Sequence, residues 1–153
     1  MRAGTENIGG IAGLGVAAEM ASLEMDEKVP RIAALRDRLI EGLTGSTENV
    51  FLNGHPERRL PNNAHFGIKF IEGEAVCLQL DTFGICASTG SACSSEALEP
   101  SHVLLAMGIA PRDAQGSVRF SLGRATTGED IDYVIEKFEP VVARLRSMSP
   151  LGR

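Results

Sequence analysis

Two short stretches of this chain alternate apolar and polar residues with a period of two, and any fold it adopts must place both in a sheet with one covered and one open face. In residues 65–70, Phe66, Ile68 and Phe70 share one side while His65, Gly67 and Lys69 share the other. In residues 117–122, Val118, Phe120 and Leu122 alternate with Ser117, Arg119 and Ser121. Successive strand side chains point to opposite faces, so each stretch buries only one of its sides. His65 is thereby turned away from the apolar side of its strand, and Arg119 lies mid-strand on the polar side. Val50, Phe51 and Leu52 read as a third, shorter strand, and residues 53–63, NGHPERRLPNN, are turn chemistry throughout. Residues 85–87 read as one more small strand.

The covering layer comes from helical patterns. Ile8, Ile11, Leu14, Ala18, Ala21 and Met25 recur at steps of three and four, which predicts a helix to about Lys28 with Glu19, Glu24 and Glu27 on its polar face. Gly9, Gly10, Gly13 and Gly15 would each cost up to about 1 kcal/mol in a solitary helix, so this segment looks prepared for close packing against a partner. Pro30 stands where a first-turn proline belongs, opening a second stripe of Ile32, Leu35, Leu39 and Leu43 that ends near Gly45. Arg31, Arg36, Arg38 and Glu41 form its expected solvated face. Residues 72–83 carry Val76, Leu80 and Phe83 at helical spacing with Gly84 as the stop, and Pro100 opens a short helix through Met107 that Gly108 closes. Thr126, Thr127, Glu129 and Asp130 mark a final helix start, continued by Ile131, Val134, Ile135, Phe138, Val142 and Leu145, with Pro140 expected to kink it.

Strands interspersed with one-sided helices give a small two-layer α/β domain, its mainly antiparallel sheet covered by helices and preceded by a long linking helix. The expected division is residues 1–28 as the linking segment and residues 29–153 as the small domain. A net charge of −5, with no basic run beyond Arg58 and Arg59, argues against a nucleic-acid partner. Three cysteines, Cys77, Cys86 and Cys93, match neither a zinc site nor a disulfide framework, so no metal site is expected and a reducing cytoplasm is the economical location. Arg2 and the apolar residues 8–18 imitate a secretory signal, but Glu6 and four glycines interrupt it and no cleavage site follows. The run is too short and too glycine-rich to be expected to span a membrane.

The chemistry concentrates in residues 88–96, STGSACSSE. Gly90, Ala92 and a series of hydroxyls offer little apolar area to offset the entropy of ordering, so a mobile loop presenting the Cys93 thiol is expected. The residues alone leave Cys93 open as buried filler or nucleophile, since no neighbouring cation lowers its pKa. Arg119 alone reads as a snorkelling surface residue, and His55, His65 and His102 carry no assignment.

Residues 84–109, GICASTGSACSSEALEPSHVLLAMGI, and residues 117–135, SVRFSLGRATTGEDIDYVI, resemble the C-terminal part of cysteine desulfurases. These are pyridoxal-phosphate enzymes of the class V aminotransferase, type I fold. Residues 2–7, RAGTEN, are similar to the end of that family's large domain. The resemblance implies that Cys93 is the nucleophile in the long loop of the iron-sulfur-assembly group. It would attack the sulfur of the cysteine adduct, leave alanine, and pass its persulfide to a scaffold or other acceptor protein. It implies that Arg119 holds the carboxylate of L-cysteine, for which a planar two-pronged donor is suited. It also implies that Thr5 reaches the cofactor phosphate of the neighbouring subunit in a homodimer.

The chain departs from the family pattern at three points. Lys28, Lys69 and Lys137 are its only lysines, none in the Ser-x-His-Lys context that forms the internal aldimine. Glu96 stands where a small residue is usual and adds a negative charge near Cys93. His65 stands where the family tends to have asparagine. The chain alone is therefore expected to be inactive and not to bind pyridoxal phosphate stably. A non-catalytic sulfur-acceptor or scaffold-docking module is the alternative. A sulfur-free class V aminotransferase would have no use for the loop cysteine.

Overall fold

The computed structural model describes residues 3–89 and 100–149. Three strands, β1 (Val50–Leu52), β2 (Asn63–Ile68) and β3 (Ser117–Ser121), form one antiparallel sheet in the order β1-β2-β3. Helices α1 (Ile8–Ser46), α2 (Gly73–Asp81), α3 (His102–Ala106), α4 (Pro111–Gln115) and α5 (Gly128–Met148) complete the described fold. The expected α/β class, with a small antiparallel sheet and helices, is the observed one.

The apolar half of each alternation faces the helices. Ala64, Phe66 and Ile68 of β2 and Val118 and Phe120 of β3 are buried together with Leu39 and Leu43 of α1, Val76 and Leu80 of α2, and Phe138 and Val142 of α5. Phe120 sits between Phe66 and Phe138 in two edge-to-face contacts, with ring centroids 6.0 and 6.3 Å apart. The alternation stops at Ile68. Phe70 adopts a φ of 73° and is partly exposed, so it belongs to a turn and not to the strand face expected for it.

Helix ends follow their caps. Thr127 Oγ1 accepts from Asp130 N at 3.2 Å while Asp130 Oδ2 accepts from Thr127 N at 2.8 Å, a reciprocal capping box that starts α5. Gly84 at φ 74° and Gly108 at φ 82° end α2 and α3 in left-handed turns, with Ile85 N donating to Leu80 O and Ile109 N to Leu104 O. The helix over residues 72–83 is accordingly shorter than expected, ending at Asp81 and leaving Phe83 partly exposed. α4 was not anticipated, although Pro111 occupies its first turn as the rule for helix starts requires.

The two helices expected on either side of Pro30 are one continuous 39-residue helix. An interior proline costs about 3 kcal/mol because it removes one backbone bond and crowds the preceding turn. Anchoring just beyond it offsets that cost. Arg31 Nη1 donates to Thr126 O at 2.9 Å and Nη2 to Arg124 O at 2.8 Å, and Leu39 and Leu43 are buried further along. α5 likewise continues through Pro140, with Phe138, Val141 and Val142 buried on either side of it. Arg36 is not on the solvated face. It is buried, donating to Asp37 Oδ1 at 2.6 and 2.8 Å and to Leu60 O at 3.0 Å, because the chain after β1 folds back over it.

The N-terminal half of α1 touches little else among the described residues. Ile8, Ile11, Leu14, Val16, Leu23 and Met25 are all exposed. By length and composition α1 could cross a membrane, with an 18-residue window of mean hydropathy 1.2 and none of it buried. The sequence expectation of a run too short to span considers residues 8–18 alone. An apolar helix side that packs against protein has the same composition, and glycine at four positions allows close backbone approach in either setting.

Candidate functional site

The face of the sheet turned away from the helices carries the polar half of both alternations. His65 pairs with Arg119 across β2 and β3, and Phe51 pairs with Gly67 across β1 and β2. A side chain at Gly67 would run into the Phe51 ring, so glycine here lets the ring lie flat across the strand. Ser88 extends the sheet by one residue. Its N–H donates to Arg119 O at 3.1 Å, and Arg119 N donates to Ser88 O at 2.7 Å. The strand expected over residues 85–87 is thus reduced to a single bridge beside Arg119, within the irregular chain that succeeds α2.

This bonding sets the spacing of the row. Arg119 commits both of its backbone groups to Ser88, so toward β2 it forms a non-hydrogen-bonded pair with His65, the kind in which side chains approach most closely. On the other side of β2, Asn53 N donates to His65 O at 2.7 Å. Asn53, His65, Arg119 and Ser88 therefore form one continuous row across the open face.

The row is cationic. Burial first, then the Arg119 and Arg59 guanidinium groups, pushes the His65 ring below its usual pKa, which favours the neutral imidazole. Arg59 is held from the turn by Asn63 O at 3.2 Å and His55 O at 3.4 Å. Among the described residues no salt bridge involves Arg119.

Of the residues that the sequence singles out, Arg119 lies at the centre of the row. Cys93 and Glu96 lie outside the described residues; in sequence Cys93 follows Ser88 by five positions. Thr5 is exposed ahead of α1, and Asn7 caps that helix by accepting from Gly10 N at 3.0 Å. The α1 residues that meet the sheet begin near Ile32, roughly 35 Å along the axis from Ile8 at the helical rise, so Thr5 does not join the Arg119 row of its own chain. Asn53, His65 and Ser88 were missed as neighbours of Arg119. The two alternations held part of the signal, since superposing their polar positions is what pairs His65 with Arg119.

Neither described cysteine belongs to the row. Cys77 is half-buried, with its thiol pushed up by burial and by Glu74. Cys86 is exposed at a cavity of about 250 Å³ on the helix side of the sheet, with Leu39, Phe120, Asp130 and Tyr133. No group of three or more potential metal ligands clusters among the described residues.

Residues 1–134 match the family model for aminotransferase class-V. The chain belongs to the class V aminotransferases. It is 50% identical, over its whole length, to 40% of the cysteine desulfurase IscS 1 of Archaeoglobus fulgidus. It is 52% identical over 97% of its length to 37% of the cysteine desulfurase NifS of Azotobacter vinelandii. A solved NifS-like protein from Rickettsia africae superposes on 93% of the chain with a TM-score of 0.80 at 32% identity, the chain covering 36% of that structure. A second NifS-like protein gives a TM-score of 0.81 at 33% identity. The chain thus spans about two-fifths of the length of the curated relatives it matches.

Pyridoxal phosphate suits this family, and the lysines present decide whether these residues fit it. Lys28 pairs with Glu24 on α1, Lys137 pairs with Glu136 over the Tyr133 ring on α5, and Lys69 lies in the turn after β2. None stands in the polar row. The open face fits an anion and offers no amine to an aldehyde, so these residues alone do not make a site for the cofactor.

Proposed function

We propose that this chain supplies the substrate-carboxylate and sulfur-carrying half of a cysteine desulfurase. Arg119 binds the carboxylate of L-cysteine. The carbon–sulfur bond of the substrate breaks, its sulfur passes to the Cys93 thiolate, and a proton replaces it on carbon, giving alanine and a Cys93 persulfide. The sulfur and protons balance without an added oxidant or reductant. The persulfide then goes to an iron-sulfur scaffold or another acceptor protein. The lysine chemistry comes from a large domain that packs on the bare side of α1, and Thr5 serves the cofactor phosphate of a second subunit in a homodimer. We further propose a cytoplasmic location, where the thiol stays reduced.

The observation that carries this reading is the position of Arg119: on the open face, without an ion pair among the described residues, and directly bonded to Ser88, from which the chain proceeds to Cys93. A guanidinium fork beside a tethered nucleophile is the arrangement in which a bound carboxylate brings the substrate's sulfur within reach. The relatives named cysteine desulfurase support the same chemistry.

The test mixes the chain with L-cysteine and pyridoxal phosphate, with and without a lysine-bearing large domain. No sulfide is expected from the chain alone, and robust turnover by it would overturn that part of the reading. With the large domain supplied, mass spectrometry should find one added sulfur atom on Cys93, removable by thiols. The exposed apolar side of α1 also favours a second reading, a docking module without catalysis. Persistent absence of the added sulfur in the complemented protein favours that module.

A further inference from the structure

His65 stands beside Arg119 and is itself held by a buried amide. Asn53 is only 6% exposed. Its Nδ2 lies 2.8 Å from His65 Nδ1, in addition to the bond from its backbone N–H to His65 O. An amide nitrogen only donates, so Nδ1 accepts and the ring proton sits on Nε2. Asn53 Oδ1 is buried with no partner among the described residues. Turning the amide over would satisfy that oxygen but strand two buried amide hydrogens, and an under-used carbonyl is the better tolerated of the two.

The two ring nitrogens diverge. With Nδ1 turned to Asn53 on the β1 side, Nε2 is turned away from β1, toward the Arg119 side of the row. The ring is kept neutral by burial and by Arg119 and Arg59, so it offers a hydrogen without adding a third positive charge. A cation and a neutral N–H donor, side by side and with no carboxylate from the described residues between them, match the two oxygens of one carboxylate.

We propose that His65 is a second carboxylate-positioning residue, donating from Nε2 to one oxygen of the substrate carboxylate that Arg119 neutralises, with Asn53 fixing the ring's tautomer. This rests on the reading of Arg119 as the carboxylate binder. Arg119 alone can hold a carboxylate in several orientations. A second donor from the neighbouring strand selects one, and orientation decides whether the substrate's sulfur meets the tethered thiol.

The experiment uses the full chain labelled with ¹⁵N in histidine and arginine. The probes are L-alanine, which has the carboxylate and no thiol, and alaninamide, which lacks the carboxylate, at matched ionic strength. At neutral pH the His65 ring should show the Nε2–H tautomer. L-Alanine should shift the His65 ring and Arg119 Nε signals together, and alaninamide should shift neither. His65→Ala should weaken the response at Arg119 about tenfold, the size of one hydrogen bond to a charged group, and His65→Gln, which restores an N–H donor, should recover most of it. An equal Arg119 response in the parent and His65→Ala, both with dispersed folded spectra, overturns the inference and leaves Arg119 its role. If His65→Ala does not fold, an alanine-insensitive His65 ring in the parent chain overturns it instead. Silence of both groups removes the carboxylate site altogether. None of these results depends on sulfur transfer, so a failure of the Cys93 chemistry is read separately by mass.

Discussion

The two faces of the three-stranded sheet are made from the same residues taken alternately, and they obey opposite rules. On the covered face Phe66, Val118 and Phe120 meet the helices, and stability depends on filled volume. On the open face His65, Arg119 and Ser88 line up, with a buried amide oxygen of Asn53 behind them that has no partner among the described residues, so this face is organised by polar groups and not by filled volume. The contrast says that the covered face holds the strands in register, which fixes His65 opposite Arg119 on the open face.

The strongest challenge to that division is on the covered side. Phe138 is fully buried and stacks edge-to-face on Phe120. Phe138→Ala should cost about 3–5 kcal/mol, a large part of the stability of a domain this size. Urea unfolding followed by circular dichroism measures it. A loss below about 1 kcal/mol would mean that α5 is not what holds the sheet.

This division was legible in the sequence to a definite depth. The periods of Val118–Phe120–Leu122 and Phe66–Ile68 gave the faces correctly, because a side-chain repeat of two is a local property of the backbone. Thr127 and Asp130 gave the start of α5 for the same local reason. Phe70 was assigned to the strand because its turn rests on a positive φ that its own identity does not announce. The continuity of α1 through Pro30 depends on Arg31 reaching the carbonyls of residues 124 and 126, distant chain that no local pattern contains. The pairing of His65 with Arg119 is likewise a matter of register between separate strands, which is why Arg119 was found by resemblance and its neighbours were not.

A second test attacks the comparison from within the open face. Gly67 lies there, yet the Phe51 ring packs across it, so that spot follows the rule of the covered face. Gly67→Val should displace the ring and cost roughly 1–3 kcal/mol, the usual range for forced overpacking, even though β propensity alone favours valine over glycine. Chemical denaturation of the variant checks it. Stabilisation by the added side chain would show that the ring is free to leave and that the open face is polar and loosely packed from edge to edge.

The smallest effect is the most specific. Burial, Arg119 and Arg59 lower the pKa of His65 in the folded chain, whereas in the unfolded chain the ring titrates near its usual value of about 6.5. Between those two values the unfolded state binds more protons, so stability falls as pH drops from about 6.5 through the folded value. Asp130 acts in the same direction but lower. Its bonds from the Thr127 backbone and hydroxyl depress its pKa below 3.8, so its contribution is lost only as pH falls through that region. The two windows are separate. Urea midpoints measured from about pH 7.5 to about pH 5 should decline in the parent chain and decline less in His65→Gln, while the steeper loss in stronger acid stays the same in both. Because His55 and His102 are present in both proteins, the difference between the two curves belongs to His65. Parallel curves would mean that the ring gives up no proton affinity on folding, and the open face would then lack the neutral donor beside Arg119 that separates it from an ordinary wet surface.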